Sequence, residues 1–425
     1  MTVEHSPLAR GSPCRVCGRS DGVRGFLALG ALPLGNAFIP ASEIPAEQEF
    51  PLTMGVCEDC HLIQIVDPAP AEATNRVYRN YSYVPTGATL ARHYRELADE
   101  IVHVSEAGAG ALFLDIGSND GLLLRSIQAV ADRARVVGVE PSPRIAENAR
   151  AHGVPTIDGF FDPAAAADVL ARLGTVDVVS ATQVLQHVRD PVGLLSLVRG
   201  MLGPTGVLVL EGRAYFPDVA EKVSFDTFYH ELLYCFTLHS LERLLALAGF
   251  VVFHAERSEV YGGSLRVFAQ PRETGRRAVR PSVEQLRAFE LSAGVTRFAA
   301  YEEFARRVEG VRARLRSTVA EITSRGGSIA GYGAPSTGTT LLSYCGLGGE
   351  TVRYIVDDNP LKQGLVTPGT HVPITPSSAL TERPPDYVLL IAWRLREEIV
   401  GRLAPFRGDR IKGIIVPLPN PEIVS

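Results

Sequence analysis

Short apolar runs alternate with glycine turns and amphipathic helical stretches through the middle of the chain. The apolar run 111–117 leads into a glycine turn at 117–121, and a helix is predicted from about Leu122. Further apolar runs predict strands, with helical stretches between them, at 135–142, 176–181 and 206–212. Strands, turns and helices that repeat in this order are typical of a doubly wound α/β sheet.

The last third of the chain repeats this pattern. A charged amphipathic stretch at 300–325 predicts a long helix, and a Pro-Ser-Thr-Gly turn leads into a helix through 340–346. Apolar runs predict strands at 328–334, 351–360 and 386–393. The pattern therefore predicts a second α/β domain. The glycines of Gly331-Tyr-Gly333 are compatible with a second bound nucleotide and equally with a ligand-free scaffold, so both functions stay open for this domain.

Composition narrows the class of protein. A chain of 425 residues suggests two or three domains, and 46% hydrophobic and 21% charged residues are typical of a globular protein. A net charge of −5 argues against non-specific nucleic-acid binding. No apolar run approaches the roughly 18 residues of a membrane helix, and residues 1–10 lack the apolar core of a signal peptide. We therefore expect a cytoplasmic protein without nucleic-acid or membrane partners.

Four of the six cysteines form two Cys-x-x-Cys knuckles: Cys14, Cys17, Cys57 and Cys60. Two such turns supply the four sulfurs of a tetrahedral zinc site, and a shell filled by thiolates is structural rather than catalytic. The alternatives are two disulfides or four free thiols, and a cytosolic chain disfavours the disulfides. Strand-like stretches at 25–39 and 50–57 lie between the knuckles, so the sequence predicts a small zinc-binding domain.

The glycine turn at 117–121 is flanked by two acidic residues. Asp115 precedes it, and Glu140 follows about 20 residues later, where a carboxylate can accept both ribose hydroxyls of a nucleoside. The turn Gly-Ser-Asn-Asp-Gly resembles motif I of class I S-adenosylmethionine methyltransferases more than an NAD site, which has G-x-G-x-x-G. A domain without a ligand is the remaining alternative. The predicted donor-binding residues are Tyr81, Asp115, Gly117, Ser118, Asn119, Gly121, Glu140 and Gln183.

Five motifs in order extend a resemblance over roughly residues 12–420. They are the pair of zinc knuckles, which counts as one motif, and the segments 115–121, 225–231, 262–266 and 331–335. This set resembles the sugar C-methyltransferases that modify the deoxysugars of antibiotics. The resemblance implies a zinc-binding domain at 12–75, an S-adenosylmethionine-binding domain at 76–300 with a class I methyltransferase Rossmann-like fold, and a Rossmann-like C-terminal domain at 301–425.

The family likeness also implies a reaction. Its members methylate C3 of a thymidine diphosphate (TDP) 4-keto-6-deoxy sugar. The C4 ketone acidifies the C3 proton, a base removes this proton, and the enolate attacks the methyl group of S-adenosylmethionine. The implied partner is therefore a small nucleotide sugar, and the implied assembly is a monomer or weak oligomer.

One departure from the family pattern concerns the base. The segment that commonly reads Tyr-x-Glu-His reads Tyr229-His230-Glu231-Leu232 here, so a leucine replaces the histidine that is regarded as the general base. Gln183 stands where asparagine is common, whereas His187 retains the family's histidine. A leucine cannot accept a proton, so the base needs another assignment.

Three interpretations of this departure stay open. The base can be one of the four other candidates in this region, which are Tyr229, His230, Glu231 and His187. Alternatively, the scaffold serves a different acceptor, such as a sugar hydroxyl, for which a weaker base suffices. In the third interpretation the chain binds S-adenosylmethionine without transferring the methyl group.

Overall fold

The computed structural model describes residues 10–79, 88–406 and 411–424. Its N-terminal part is an antiparallel sheet whose first four strands are β1 (Arg10–Ser12), β2 (Val23–Leu32), β3 (Phe50–Cys57) and β4 (Ile63–Ile65). Val23 at the start of β2 pairs with Cys57 at the end of β3, which brings the two cysteine knuckles to the same end of the sheet. The strand predicted at 50–57 is confirmed. The stretch predicted at 25–39 ends early, because Pro33 has no N–H for the ladder.

The middle of the chain forms a seven-stranded sheet. Two helices precede it, α1 (Ala71–Arg79) and α2 (Ala88–Ser105). Its elements in chain order are β5 (Leu112–Ile116), α3 (Leu122–Val130), β6 (Arg135–Glu140), α4 (Pro143–Ala151), β7 (Thr156–Asp158), α5 (Pro163–Leu173), β8 (Val176–Thr182), α6 (Pro191–Met201), β9 (Leu202–Arg213), α7 (Phe216–Glu221), β10 (Tyr234–Cys235), α8 (Leu238–Leu247), β11 (Phe250–Ser258) and β12 (Ser264–Pro271). All but β10 of these strands belong to this sheet.

The strand order of this sheet fixes where a ligand can bind. The order is β7-β6-β5-β8-β9-β12-β11, and β12 alone runs opposite to the other six strands of this sheet. From β5 the chain goes first to β6 and β7 on one side and later to β8 and β9 on the other. Ligands of such sheets bind at this reversal, beyond the carboxyl ends of the strands.

Strand β10 links this part of the chain to the first sheet. Tyr234 and Cys235 pair antiparallel with Gln64 and Ile63 of β4, which makes β10 the fifth strand of the N-terminal sheet. The segment between α7 and α8 therefore packs against the cysteine-rich domain.

Two helices connect the middle sheet to the last one, α9 (Pro281–Ala293) and α10 (Phe298–Ser324). The rings of Phe26 on β2 and Phe216 on α7 lie 5.2 and 4.7 Å from the ring of Tyr301 on α10, so one aromatic cluster joins these parts. Helix α10 spans the predicted boundary at residue 300, and the limits of the three predicted domains stay predictions. No helix in the described ranges combines the length and apolar character needed to cross a bilayer.

The C-terminal part is a second doubly wound sheet. Its elements are β13 (Ile329–Tyr332), α11 (Ser336–Cys345), β14 (Ile355–Val356), β15 (Ile374–Thr375), α12 (Ala379–Glu382), β16 (Tyr387–Leu390), α13 (Arg396–Leu403), β17 (Gly413–Val416) and β18 (Glu422–Val424). The order β15-β14-β13-β16-β17-β18 is that of a Rossmann fold, with β18 antiparallel. The strand predicted at 351–360 shrinks to two residues, because the N–H groups of Thr351 and Val352 bond to Gly348 O in a turn.

Candidate active site and zinc centre

The two cysteine knuckles have the same backbone geometry. The N–H of Gly18 donates to Cys14 O at 2.9 Å, and the N–H of His61 donates to Cys57 O at 3.0 Å. Gly18 and His61 both have positive φ angles, 75° and 54°, which turn the chain back after the second cysteine of each knuckle. Each knuckle therefore presents its two sulfurs on one side.

The four sulfurs meet the geometric requirement for zinc. Their Sγ atoms all lie within 4.8 Å of one another, with 3.5 Å between Cys14 and Cys60 and 3.6 Å between Cys17 and Cys57. Sulfurs placed about 2.3 Å from a tetrahedral ion are separated by about 3.8 Å, which is close to these distances. The four cysteines thus fit a closed structural zinc site.

The glycine turn after β5 is fixed by the neighbouring strand. The N–H groups of Gly117 and Ser118 donate to Val139 O at 2.8 and 3.1 Å. Gly117 has a φ of 71°, and a Cβ there would lie 2.4 Å from Cγ2 of Val184 in the loop after β8. Gly121, with a φ of 77°, caps α3. Glycine is needed because the turn is left-handed and lies against the β8 loop.

Asp115 lies beneath this turn. Its buried carboxyl accepts a hydrogen bond from the Oγ of Ser180 at 2.7 Å. Burial and, to a smaller extent, the charge of Glu140 raise the pKa of Asp115 to about 7, although the Ser180 bond opposes the shift. A carboxyl group with a pKa of about 7 therefore lies beneath the glycine turn.

Glu140, the last residue of β6, is joined to the turn by its side chain. Its Oε2 accepts the N–H of Asn119 at 3.0 Å, and its Oε1 accepts the N–H of Ser142 at 2.9 Å. Burial raises its pKa, and these two bonds oppose the rise. Each carboxylate oxygen still has an acceptor lone pair after one such bond, so the pair suits two ribose hydroxyls.

Gln183 lies on the other side of the strand-order reversal, directly after β8. Its backbone has a φ of 59°, and its Oε1 accepts the N–H of Arg213 at 2.9 Å. Its Nε2 is buried and has no hydrogen-bond partner among the described residues. A buried amide N–H without an acceptor is costly, and a bound ligand would supply one.

These residues fit S-adenosylmethionine. The turn, Glu140 and the orphaned amide of Gln183 lie at the carboxyl ends of β5, β6 and β8, where a doubly wound sheet binds nucleosides. Glu140 would accept the ribose hydroxyls and Gln183 would donate to an acceptor of the ligand. Tyr81, predicted to contact the same ligand, lies outside the described residues.

The segment that carries the proposed catalytic residues is the junction of all three parts of the chain. Asp226 accepts N–H groups of Trp393 and Arg394 from the C-terminal domain, at 3.0 and 2.7 Å. Its neighbour Phe228 accepts the hydroxyl of Thr340 at 2.7 Å. The segment 225–231 is therefore bonded directly to the C-terminal domain.

Glu231 connects this junction to the cysteine-rich domain. Its carboxylate accepts the N–H groups of Gly35 and Asn36 at 3.0 and 2.9 Å, and the side-chain amide of Asn36 at 3.2 Å. Burial raises its pKa, while these bonds oppose the rise. The Glu231 carboxylate therefore fixes the loop at 35–36 to the segment 225–231.

His230 faces the same domain. Its Nε2 donates to Leu32 O at 3.0 Å, because a carbonyl oxygen can only accept, and its ring lies 5.9 Å edge-on from Phe50. Its Nδ1 is buried without a hydrogen-bond partner among the described residues, and burial lowers the pKa of the ring. The neutral imidazole packs between the junction and β3.

His187 lies close to the backbone of Glu231. The carbonyl oxygen of Glu231 accepts the Nδ1–H of His187 and, at 2.9 Å, the hydroxyl of Tyr78. Because the carbonyl only accepts, it fixes the proton on Nδ1 and leaves the lone pair on Nε2. Burial and the charge of Arg213 lower the pKa of His187 to about 3, so the ring is neutral at pH 7.

Tyr229 is paired with an arginine. Its hydroxyl accepts a short hydrogen bond from Nη2 of Arg213, the last residue of β9. Burial raises the pKa of Tyr229, and the positive charge of Arg213 acts in the opposite direction. Leu232 lies in the hydrophobic core with no exposed surface. Of the four predicted catalytic residues, Tyr229 and His187 thus lie around Arg213, whereas His230 and the Glu231 carboxylate face the N-terminal domain.

The comparison with known proteins gives the chain its family. It is 34% identical over 419 residues to the C-methyltransferase NovU of Streptomyces niveus, and the match covers 97% of this chain and 96% of NovU. The chain belongs to the NovU family of C-methyltransferases.

Family models divide this C-methyltransferase into three matched parts. They are a putative zinc binding domain at 14–74, a methyltransferase domain at 90–255 and a C-methyltransferase C-terminal domain at 259–419. The predicted zinc-binding residues fall within the first. The predicted family and fold class, including both Rossmann-like parts, are confirmed.

Two further proteins match a smaller share of the chain. The ubiquinone biosynthesis O-methyltransferase of Xanthomonas oryzae is 31% identical over 104 residues, 24% of this chain and 43% of that protein. The solved magnesium protoporphyrin IX methyltransferase ChlM from Synechocystis, with bound SAH, is 16% identical and covers 47% of this chain and 94% of ChlM, at a TM-score of 0.34.

The protein is therefore an S-adenosylmethionine-dependent C-methyltransferase with a zinc-binding cysteine centre. Two contacts of the catalytic segment were not predicted from the sequence: Arg213 contacts Tyr229, and Tyr78 contacts the Glu231 backbone. One signal was available for Arg213, since it directly follows the strand predicted at 206–212, and site residues of doubly wound sheets lie at strand ends.

Proposed function

We propose that this enzyme methylates C3 of a TDP-linked 4-keto-6-deoxy sugar, through an enolate, in the biosynthesis of an antibiotic or related natural product. The proposal is supported by the five ordered motifs and by the match to NovU over nearly its whole length. The structural observation that carries it is the neutral His187, whose free Nε2 lone pair lies in the same cluster as Tyr229 and Arg213.

His187 is the proposed general base. Its Nδ1–H is held by the Glu231 carbonyl, so the ring is oriented and its Nε2 is available for the C3 proton. With a pKa lowered to about 3, the ring needs no prior deprotonation at neutral pH. The electrons of the C3–H bond pass to the C4 oxygen, and C3 becomes the nucleophile. S-adenosylmethionine supplies the electrophilic methyl group when bound.

Tyr229 is the proposed donor to the enolate oxygen. Its raised pKa keeps the phenol protonated at neutral pH, so its O–H can donate to an acceptor oxygen that gains negative charge. His230 and the Glu231 carboxylate act indirectly in this proposal. Their bonds to Leu32, Gly35 and Asn36 hold the segment that presents Tyr229 and the Glu231 carbonyl. The missing histidine at position 232 is thereby replaced in function by His187.

The test is a product analysis with carbon-13 methyl-labelled S-adenosylmethionine and a TDP-4-keto-2,6-dideoxyhexose. We expect a labelled methyl group on carbon, which differs clearly in carbon-13 shift from a methyl ether. A methyl ether would establish the alternative acceptor chemistry, and bound donor without any transfer would establish a non-catalytic homologue. Either result would overturn the proposed reaction.

A variant of His187 tests its assignment as the general base. His187→Asn keeps an N–H for the Glu231 carbonyl but lacks Nε2, so we expect the transfer rate to fall by about 10²-fold to 10⁴-fold. Binding of S-adenosylhomocysteine should stay unchanged. His152→Asn is the matched control, because His152 is exposed directly after α4 and its Nδ1 likewise bonds to a backbone carbonyl, that of Asn148, at 2.8 Å. We also expect kcat of an Asp115→Asn variant, which lacks the carboxyl group with a pKa of about 7, to show no loss between pH 8 and 6, because His187 stays unprotonated there. A rate that falls with an ordinary histidine pKa would contradict the assignment.

A further inference from the structure

Arg213, the last residue of β9, contacts residues from several parts of the candidate site. Its Nη2 donates to the hydroxyl of Tyr229, and its backbone N–H donates to Oε1 of Gln183 at 2.9 Å. Its guanidinium carbon lies 5.5 Å from the ring centre of Tyr229 and 5.9 Å from that of Tyr261. One side chain thus contacts the proposed enolate donor and the turn between β11 and β12.

Three residues around Arg213 have left-handed backbones although none is glycine. Gln183, Ala214 and Tyr261 have φ angles of 59°, 64° and 55°. They come from three separate places in the fold, after β8, after β9 and between β11 and β12. Such conformations are unfavourable for residues with a side chain, and they concentrate at functional sites where the surrounding structure enforces them.

Specific contacts hold these conformations in place. The N–H of Gln183 donates to Glu211 O at 2.6 Å, and the buried thiol of Cys235 donates to Ala214 O at 2.5 Å. In the turn that carries Tyr261, the amine of Lys222 donates to Gly262 O at 3.0 Å. Three left-handed residues from separate parts of the fold are therefore held in place next to Arg213.

The charge of Arg213 acts on both proposed catalytic groups. It opposes the rise in the pKa of Tyr229 that burial causes, and it contributes to the low pKa of His187. A phenol close to a cation is a stronger hydrogen-bond donor to a developing anion, and a neutral imidazole is ready to accept a proton.

We propose that Arg213 is a positioning residue of the methyl transfer: it fixes the hydroxyl of Tyr229 and strengthens that group as a donor to the enolate oxygen. This inference rests on the proposed function and deepens it. No proton leaves Tyr229 in this step, because the C4 oxygen accepts a hydrogen bond while His187 takes the C3 proton.

A double-mutant cycle on the full-length, zinc-loaded enzyme tests the inference. Arg213→Met should lower kcat for carbon methylation by about 10²-fold, similar to the loss of one oxyanion donor. It should leave KM and the Kd of S-adenosylhomocysteine within about threefold. In a Tyr229→Phe background, Arg213→Met should lower kcat by less than about threefold more, because the arginine acts through the hydroxyl.

Two further variants separate positioning from folding. Arg213→Lys keeps a positive donor and should recover at least about tenfold of the kcat lost in Arg213→Met. Arg287→Met removes a paired arginine on α9 and should leave kcat unchanged. If Arg213→Met does not fold, Arg213→Lys takes its place in the cycle, with a loss of about threefold to tenfold in kcat that Tyr229→Phe again masks.

The possible outcomes are distinguishable. Losses of kcat that multiply in the double variant, or a rise in KM alone, would overturn the inference while the proposed function stands. A wild-type enzyme that methylates no carbon would overturn the proposed function and this inference with it.

Discussion

In both the middle and the C-terminal sheet, a carboxylate after the second strand bonds to the turn after the first strand, but the two turns have different surroundings. In the middle sheet Glu140 ends β6 and accepts the N–H groups of Asn119 and Ser142. In the C-terminal sheet Asp357 follows β14 and accepts the N–H of Ala334 at 2.7 Å and of Asn359 at 2.8 Å. Each carboxylate thus joins the second strand of its sheet to the turn after the first.

The two turns differ in what covers them. Gly117 and Asn119 are partly exposed, whereas Gly333 and Ala334 are buried. The amine of Lys362 donates to Ala334 O at 2.7 Å and lies 4.7 Å from the ring centre of Phe38, which belongs to the cysteine-rich domain.

Helix α11, which follows the C-terminal turn, is also engaged by other domains. The hydroxyl of Thr339 donates to Gly35 O at 3.1 Å, and that of Thr340 donates to Phe228 O at 2.7 Å. The comparison teaches that an acidic residue joined to a glycine turn stabilises the turn in either sheet. Only a turn left open by the other domains can also hold a nucleoside, so we expect the middle sheet alone to do so.

Removal of the zinc ion should have the largest effect on the difference between the two turns. A structural zinc site contributes about 10 kcal/mol or more to folding, so chelation should unfold the cysteine-rich domain and uncover the C-terminal turn. We expect a fall of more than about 10 °C in Tm and a red shift in the fluorescence of Trp393, the sole tryptophan, which bonds to Asp226 at the junction. An unchanged melting curve after complete metal removal would contradict the structural assignment.

A matched pair of glycine variants compares the two turns directly. A Cβ at Gly333 would lie 2.4 Å from Cβ of Ala392, which is fixed to the backbone, whereas a Cβ at Gly117 would meet the end of the Val184 side chain. Both positions have positive φ. We expect Gly333→Ala to lower the free energy of unfolding by about 3 kcal/mol and Gly117→Ala by about 1–2 kcal/mol. Chemical denaturation measures both, and equal losses would contradict the difference in packing.

The acidic residues form a second matched pair. Glu140→Gln should raise the Kd of S-adenosylhomocysteine by about 100-fold, because hydrogen bonds to a charged group contribute about 1.5–3 kcal/mol. Asp357→Asn should leave this Kd within about twofold and lower stability by about 1 kcal/mol. Calorimetric titration of both variants with S-adenosylhomocysteine measures the two Kd values. Equal affinity in Glu140→Gln and the wild type would remove the ribose assignment.

The smallest expected effect concerns Lys362. Burial lowers its pKa below 10.5, so between its folded pKa and 10.5 the unfolded chain binds more protons than the folded one. The free energy of unfolding should therefore rise with pH in that window, and Lys362→Met should abolish the rise. Stability measured between pH 8 and 10.5 checks this, and an identical slope in the variant would exclude Lys362 as its source.

Much of the fold could be predicted because it depends on local pattern. The glycine turn at 117–121, the acidic Glu140 and the Cys-x-x-Cys knuckles are each defined by residues close in sequence, and the structure places them as expected. The covering of the second turn could not be predicted, since it depends on Phe38, which is 324 residues from Lys362 in the sequence.

The site was only partly predictable for the same reason. The segment 229–232 indicates chemistry, but its side chains point to different domains, and only the tertiary structure separates Tyr229 from His230 and Glu231. The pairing of His187 with a backbone carbonyl leaves no trace in the sequence, because any residue at position 231 provides that carbonyl.

The most direct test of the account is one incubation of the wild-type enzyme in heavy water. It contains a TDP-4-keto-2,6-dideoxyhexose and S-adenosylhomocysteine, which fills the donor site but has no methyl group to transfer. We predict that deuterium enters the sugar at C3 and that His187→Asn abolishes the exchange, as removal of the general base requires. A sugar that gains no deuterium while S-adenosylhomocysteine is bound would contradict the claim that this site forms an enolate.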